Sequence, residues 1–201
     1  MKNNCVYINA SSGECEYYTD PTIIATAKLL FRGVIHLDPA SSNIANASIG
    51  ALRYFGKELD GMQQPWDAEN VWLNFPFGRR EEPCSLECRK EHVHHDFPYY
   101  GNAAWVKKLE SEYAVKRFLE GCVLTFAATS EAWFQPLIKR PQCYLSPRTN
   151  YYLPNGELKL GVTKGSVVTY YGPRVLRFAQ VFEKLGEVKV SVPTSITAFF
   201  P

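Results

Sequence analysis

VWLNFPFGRR, residues Val71 to Arg80, decides how this chain is read. Val71, Trp72 and Leu73 form an apolar run of the kind that suits a strand buried on both faces. Pro76 cannot donate to a sheet ladder and Gly78 is free to adopt φ > 0, so the strand is expected to end there and turn outward. The turn then presents the Asn74 amide, the Phe75 carbonyl and the Phe77 ring together at the carboxyl end of a strand. Open α/β sheets keep their ligands at that end.

One chemistry suits this arrangement. An exocyclic amino group on a nucleobase is a poor nucleophile because its lone pair is delocalised into the ring. Two acceptors, the Asn74 side-chain oxygen and the carbonyl just before Pro76, can hold its two N–H bonds and draw the lone pair out. Phe77 offers a face for the base, and such stacking is worth roughly 1–3 kcal/mol. The competing reading is a strand that ends in a turn with a packed aromatic. Four residues do not separate the two readings; their neighbours must.

Upstream, a helix is expected to start after Thr19 or Asp20, with Pro21 at an opening position. Ile23, Ile24, Ala27, Leu30 and Phe31 recur at helical spacing, and Gly33 ends the run. Val34 to Leu37 reads as a buried strand with His36 a satisfied interior histidine. It leads into Asp38, Pro39, Ala40 and Ser41. Small side chains there let a cofactor approach the backbone, and the acid can accept hydrogen bonds from hydroxyl or amino groups. The same spacing equally allows Asp38 to cap the following helix, which is expected over Ala45 to Tyr54.

Downstream, Ala103 to Glu120 reads as a helix with Trp105, Leu109 and Tyr113 on one stripe, closed by Gly121. Cys122 to Phe126 reads as a strand, with Cys122 and Cys143 as small core fillers. Tyr151 to Leu153 and Glu157 to Leu160 flank an Asn155-Gly156 turn and read as a hairpin. Ser166 to Tyr171 is a further strand. A helix then carries Val175, Phe178, Phe182 and Leu185 on one face, closed by Gly186. Alternating strands and helices followed by a strand-rich close predict an α/β fold, a mainly parallel doubly wound sheet with an antiparallel hairpin near the C-terminal edge. The domain is expected over residues 16–190, between a flexible arm (1–15) and a tail (191–201).

Bulk properties narrow the classes. A chain of 201 residues with 46% hydrophobic and 14% aromatic content has room for a core and does not read as disordered. A net charge of only +2 excludes a whole-molecule field for nucleic acid. Contact with a polyanion must then be local, at Arg79-Arg80, Lys107-Lys108 or Lys139-Arg140 with Arg148, each of which also reads as a solvated face. No apolar run approaches the roughly 20 residues of a membrane span. The opening MKNNCVYINASSGE lacks an apolar core segment, so no secretory leader is expected. Six cysteines in a chain of this size do not form a secreted framework, and a reduced, cytoplasmic setting is expected.

In order along the chain, EYYTDP (Glu16 to Pro21), LDPASSNIAN (Leu37 to Asn46), QPW (Gln64 to Trp66), VWLNFPFGR, AATSEAWFQPL (Ala127 to Leu137) and GSVVTYYG (Gly165 to Gly172) together resemble the phage-type DNA N-6-adenine methyltransferases. The similarity covers most of residues 16 to 186. NFPF resembles that family's [DNS]-P-P-[YFW] tetrapeptide, with Phe75 where Pro is usual and Phe77 where Tyr is commonest. The resemblance implies a Rossmann-like methyltransferase fold that uses S-adenosylmethionine, in the cytoplasm of a bacterial or phage-infected cell. It implies that Tyr18, Thr19, Asp20 and Pro21, with Asp38, Pro39, Ala40 and Ser41, cradle the cofactor. Asn74, Phe75, Pro76 and Phe77 would hold a flipped adenine. Extrusion from duplex DNA costs a few kcal/mol, and catalysis would come from positioning, without a covalent intermediate. Asn rather than Asp makes the side-chain acceptor neutral, so solvent takes the proton. Two other readings stay open: a catalytically silent nucleic-acid-binding module of the same fold, and transfer to cytosine N4, RNA or a protein glutamine amide.

Residues 79–102 look like an insertion relative to shorter members of the family. They hold Cys84, Cys88, His92, His94 and His95, and thiolate and imidazole are the usual zinc ligands. On one continuous helix Cys84 and His92 would lie about 12 Å apart, so a shared zinc requires the segment to fold back. Cys84, Cys88, His92 and His95 are the candidate set, and a polar loop with incidental thiols is the competing reading. Such a clip would order a DNA-contacting loop beside Arg79 and Arg80.

Overall fold

The computed structural model describes residues 18–78, 80–85, 87, 98–153, 156–159 and 164–191. The expected arm, the tail beyond Ser191, Arg79, Cys88, His92, His94, His95 and the turn residue Asn155 lie outside them. The first helix, α1, spans Pro21–Leu30. Asp20 caps it by accepting the Thr22 N–H at 2.7 Å, and Pro21 sits where a missing N–H costs nothing. The chain leaves it through Arg32 and Gly33, both with positive φ, and the Gly33 N–H closes on the Lys28 carbonyl.

Strand β1 is only Leu37–Asp38, shorter than the expected Val34 to Leu37 run, and Val34 is exposed. The second helix, α2, covers Asn43–Ile49 rather than Ala45 to Tyr54. Gly50 ends it in the left-handed region, and the Asn46 amide bonds both the N–H and the carbonyl of Ala51. That clamp turns the chain, so Arg53–Tyr54 becomes strand β2. Strand β3 (Ala68–Leu73) buries Val71, Trp72 and Leu73 completely, as a strand covered on both faces requires. Short strands β4 (Arg80–Glu81) and β5 (Tyr99–Tyr100) pair antiparallel, so the ends of the expected insertion are held together.

Helix α3 spans Gly101–Ala114. It stops six residues before the expected Glu120, because Lys116 takes a positive φ and Phe118 already begins strand β6, Phe118–Phe126. Gly121 therefore lies inside a strand instead of closing a helix, and a Cβ there would meet the Phe118 ring at 2.9 Å. A short turn of 3-10 helix (Ala132–Phe134) leads into α4, Gln135–Ile138, and strand β7, Gln142–Leu145. The hairpin β8 (Tyr151–Tyr152) and β9 (Leu158–Lys159) forms as expected. It is a sheet of its own, joined through Tyr152 to Tyr18, and not an edge of the main one. Strand β10 (Ser166–Tyr171) precedes α5, Val175–Phe182. Gly186 does not close that helix; it starts an edge strand, β11, Gly186–Lys189.

The main sheet has seven strands in the order β11-β7-β10-β6-β3-β1-β2. β2, β1, β3 and β6 run parallel, while β10 opposes β6 and β7, and β11 opposes β7. Five strands thus share one direction, so the sheet is mostly parallel. Side chains alternate between two cores. Trp72, Cys122, Leu124, Val168 and Tyr170 face α1, α2 and α5. Val71, Leu73, Val123, Val167 and Tyr171 face α3 and α4. From β1 the chain steps outward to β2, but from β3 it steps the other way to β6. Crossovers of one hand then fall on opposite faces, which accounts for α2 and α3 covering opposite sides. No helix among the described residues is long and apolar enough to cross a membrane.

Candidate functional site

The reversal of direction makes the boundary between β1 and β3 a topological switch point, and the crevice beyond the carboxyl ends of such strands is where a ligand fits. Leu37 is in register with Val71, so Asp38 ends β1 level with Trp72 and Asn74 leaves β3 two residues further on. The two turns singled out in the sequence are therefore neighbours.

Asp38 is 1% exposed. Its Oδ1 accepts the Ala40 N–H at 3.1 Å, while Oδ2 and the Ser41 hydroxyl are buried without a hydrogen-bond partner. The cap of α2 is Ser42, whose hydroxyl accepts the Ala45 N–H, so Asp38 does not serve as that cap. Burial pushes the Asp38 carboxyl up to about 7, with the Ala40 N–H and the nearby Ser41 hydroxyl pulling the other way. The turn is braced from behind. A Cβ on Gly61 would fall 1.9 Å from the Pro39 carbonyl, so only glycine fits, and the Gly61 carbonyl accepts the indole N–H of buried Trp66 at 2.8 Å. Trp66 is the Trp of QPW; its backbone N–H donates to buried Glu112 at 2.9 Å.

Asn74 is half-buried, and its Nδ2 donates to Thr19 Oγ1 at 3.0 Å. Phe75 is 1% exposed, its ring stacked on Trp105 at 5.9 Å and edge-on to Phe77. The side chain of Phe75 is thus part of the core, and a role at the site falls to its carbonyl. Pro76 is exposed. Phe77 is half-buried against Phe126, the last residue of β6, with ring centroids 4.6 Å apart. Gly78 does not use its freedom for positive φ. It is instead held by a reciprocal pair with Asn102, whose Oδ1 accepts the Gly78 N–H and whose N–H donates to the Gly78 carbonyl. Asn102 and Phe126 were not singled out in the sequence. Phe126 carried a signal, as the end of an apolar strand; Asn102 carried none.

The upstream segment reaches the same place. Tyr18 pairs with Tyr152 through two backbone hydrogen bonds, Thr19 is 4% exposed, Asp20 caps α1 and Pro21 is exposed. Arg80 is exposed and its charge is matched by Glu82 at 2.6 Å. Cys84 is half-buried, and its three companions in the zinc set lie outside the described residues. Among the described residues no group of three or more His, Cys, Asp or Glu is disposed to hold a metal ion. His36 is half-buried rather than interior, with Nδ1 2.9 Å from the Asn70 amide and Nε2 3.5 Å from Glu69. Cys122 and Cys143 are core fillers: burial raises both thiols, that of Cys143 to about 12, which removes them as nucleophiles. Comparisons with protein-family models, curated proteins and solved structures gave no match, so the site is read from its own geometry.

Proposed function

We propose that the protein is an S-adenosylmethionine-dependent methyltransferase acting on the exocyclic amino group of adenine in DNA, built on a Rossmann-like methyltransferase sheet. The observation that carries this reading is the adjacency of the Asp38 turn and the Asn74–Phe77 turn at the switch point. A cofactor site and an acceptor site must adjoin for a group to pass directly between two ligands.

The Asp38 turn fits the cofactor. A buried acid with an oxygen that lacks a well-formed hydrogen bond asks for hydroxyl or amino donors. S-adenosylmethionine, when bound, would supply an electrophilic methyl group carried on a sulfonium. The chain's own part is to hold the acceptor. Asn74 and the carbonyl before Pro76 take the two amino N–H bonds, and Phe77, backed by Phe126, stacks on the base. Asn74 is neutral, so the proton passes to solvent.

Incubation with tritiated S-adenosylmethionine and unmethylated DNA, with Asn74→Ala as control, followed by nucleoside chromatography, tests the reading. Label in N6-methyladenine that disappears in the control is expected. Label in cytosine, RNA or protein would change the acceptor. Cofactor binding without transfer to any of them would overturn the enzyme in favour of a silent binding module.

A further inference from the structure

We infer that the outer edge of β11 is an interaction surface for a second copy of this chain, two β11 strands pairing antiparallel about a two-fold axis at Val188. β11 ends the main sheet, and among the described residues no strand lies beyond it. Its inner side pairs with β7 in an unbroken register from Gly186 opposite Leu145 to Lys189 opposite Gln142. The Ser146 N–H donates to the Leu185 carbonyl at 2.9 Å, which extends that register by one pair and fixes its phase. Leu185, Glu187 and Lys189 therefore turn their backbone groups toward β7, and Gly186, Val188 and Val190 turn theirs outward. The far side of β7 agrees: Pro141, which belongs to the alternate set of residues, accepts the Tyr170 N–H of β10.

Sheet edges are commonly blunted by proline, a bulge or an edge lysine. Gly186 to Val190 contains no proline, and the ladder to β7 has no bulge. The lysine is answered by the strand's own charge pattern. Glu187 and Lys189 are exposed on one face and ion-paired to each other at 2.8 Å. A two-fold centred on Glu187 or on Lys189 sets like charges against each other. One centred on Val188 sets Glu187 against Lys189 of the second copy, twice over. Those pairs fall at non-hydrogen-bonded sites, where facing side chains approach most closely. The same centre joins Val188 to its counterpart, and Gly186 to Val190, through the outward N–H and carbonyl groups. β7, β10 and β6 separate this edge from the switch point between β3 and β1, so the pairing lies across the sheet from the proposed site. It rests on backbone phase and charge order, independently of the methyltransferase reading.

Sedimentation equilibrium of the full chain tests the pairing, at concentrations up to about 500 μM because an interface of one strand is small and its dimer correspondingly weak. A reversible monomer–dimer equilibrium is expected. Glu187→Lys and Lys189→Glu should each weaken it about tenfold or more, since each turns two attractions into repulsions. An equimolar mixture of the two variants, and the double variant that carries both changes, should recover the wild-type affinity. Both side chains are exposed, so the variants are expected to keep the wild-type fold. Amide hydrogen exchange of the wild type gives a second readout that needs no variant. The Val188 N–H should gain protection as concentration rises, while those of Glu187 and Lys189 are protected throughout. A protein that stays monomeric overturns the inference. So does a dimer indifferent to the charge reversals, which would use another surface, or a mixture that fails to recover affinity. A Val188 amide already protected in the dilute monomer also overturns it, because another part of the same chain would then cover the edge.

Discussion

Replacing Asp38 with asparagine should make the ligand-free protein more stable at alkaline pH and, on the proposed function, abolish binding of S-adenosylmethionine. The structure buries the Asp38 carboxyl and leaves Oδ2 without a partner, so ionisation is opposed in the folded state, and its pKa rises from the ordinary 3.8 to about 7. The sign follows from proton counting. Between those two values the folded protein holds a proton that the unfolded chain has released, so stability declines as pH rises and levels off above about 7. From pH 5 to pH 8 the loss attributable to Asp38 is about 2.5 kcal/mol, taking 1.36 kcal/mol per unit of separation. An asparagine at this position cannot ionise and carries no such slope. Urea unfolding of the wild type and Asp38→Asn at both pH values measures the difference. The variant should gain about 2.5 kcal/mol on the wild type between pH 5 and pH 8. The same variant should fail to bind S-adenosylmethionine in a calorimeter, a stability gained at the expense of function. A stability difference that does not vary with pH would refute the claim that Asp38 is a buried acid whose burial outweighs its hydrogen bonds.

On the proposed function, the same ionisation should govern binding of S-adenosylmethionine in the wild type. If the ligand's donors bind the carboxylate, affinity should be about tenfold weaker at pH 6 than at pH 8, which titration at the two pH values checks. Phe75→Pro brings the turn closer to the resembled tetrapeptide but removes a ring stacked on Trp105, and should cost about 3 kcal/mol in denaturant unfolding. Arg174 chelates Glu120 with two contacts of 2.5 Å and also reaches the Leu30 carbonyl at 2.6 Å. Arg174→Met should cost about 3 kcal/mol by leaving a largely buried carboxylate alone, and Glu120→Gln in the same chain should recover part of it. Gly121→Ala should destabilise by about 1–3 kcal/mol through its clash with the Phe118 ring.

Local signals in the sequence carried much of this molecule. Asp20 before Pro21 marks the start of α1, the uninterrupted apolar run at Val71 marks a strand covered on both faces, and the breakers at Pro76 and Gly78 mark its end. These depend on what a residue's own backbone and side chain permit, so they can be read without knowing the fold. Where helices stop was less legible. Tyr54 and Glu120 were expected in helices but pair with neighbouring strands, because ladder partners contributed by distant segments outweigh local periodicity. The edge strand β11 depends in the same way on β7.

The Asn74–Phe77 turn and the small-residue turn after Asp38 were visible as separate pieces of sequence, each with a bland alternative. Only the tertiary structure set them beside each other, because the chain leaves β1 in one direction and β3 in the other. It also assigned Phe75 to the core, brought Phe126 against Phe77 and gave Asn74 its partner in Thr19. Those contacts join residues far apart in the chain, and no local preference encodes them. What the sequence determined by itself was the chemistry each turn can offer; which turns lie side by side was decided by strand order.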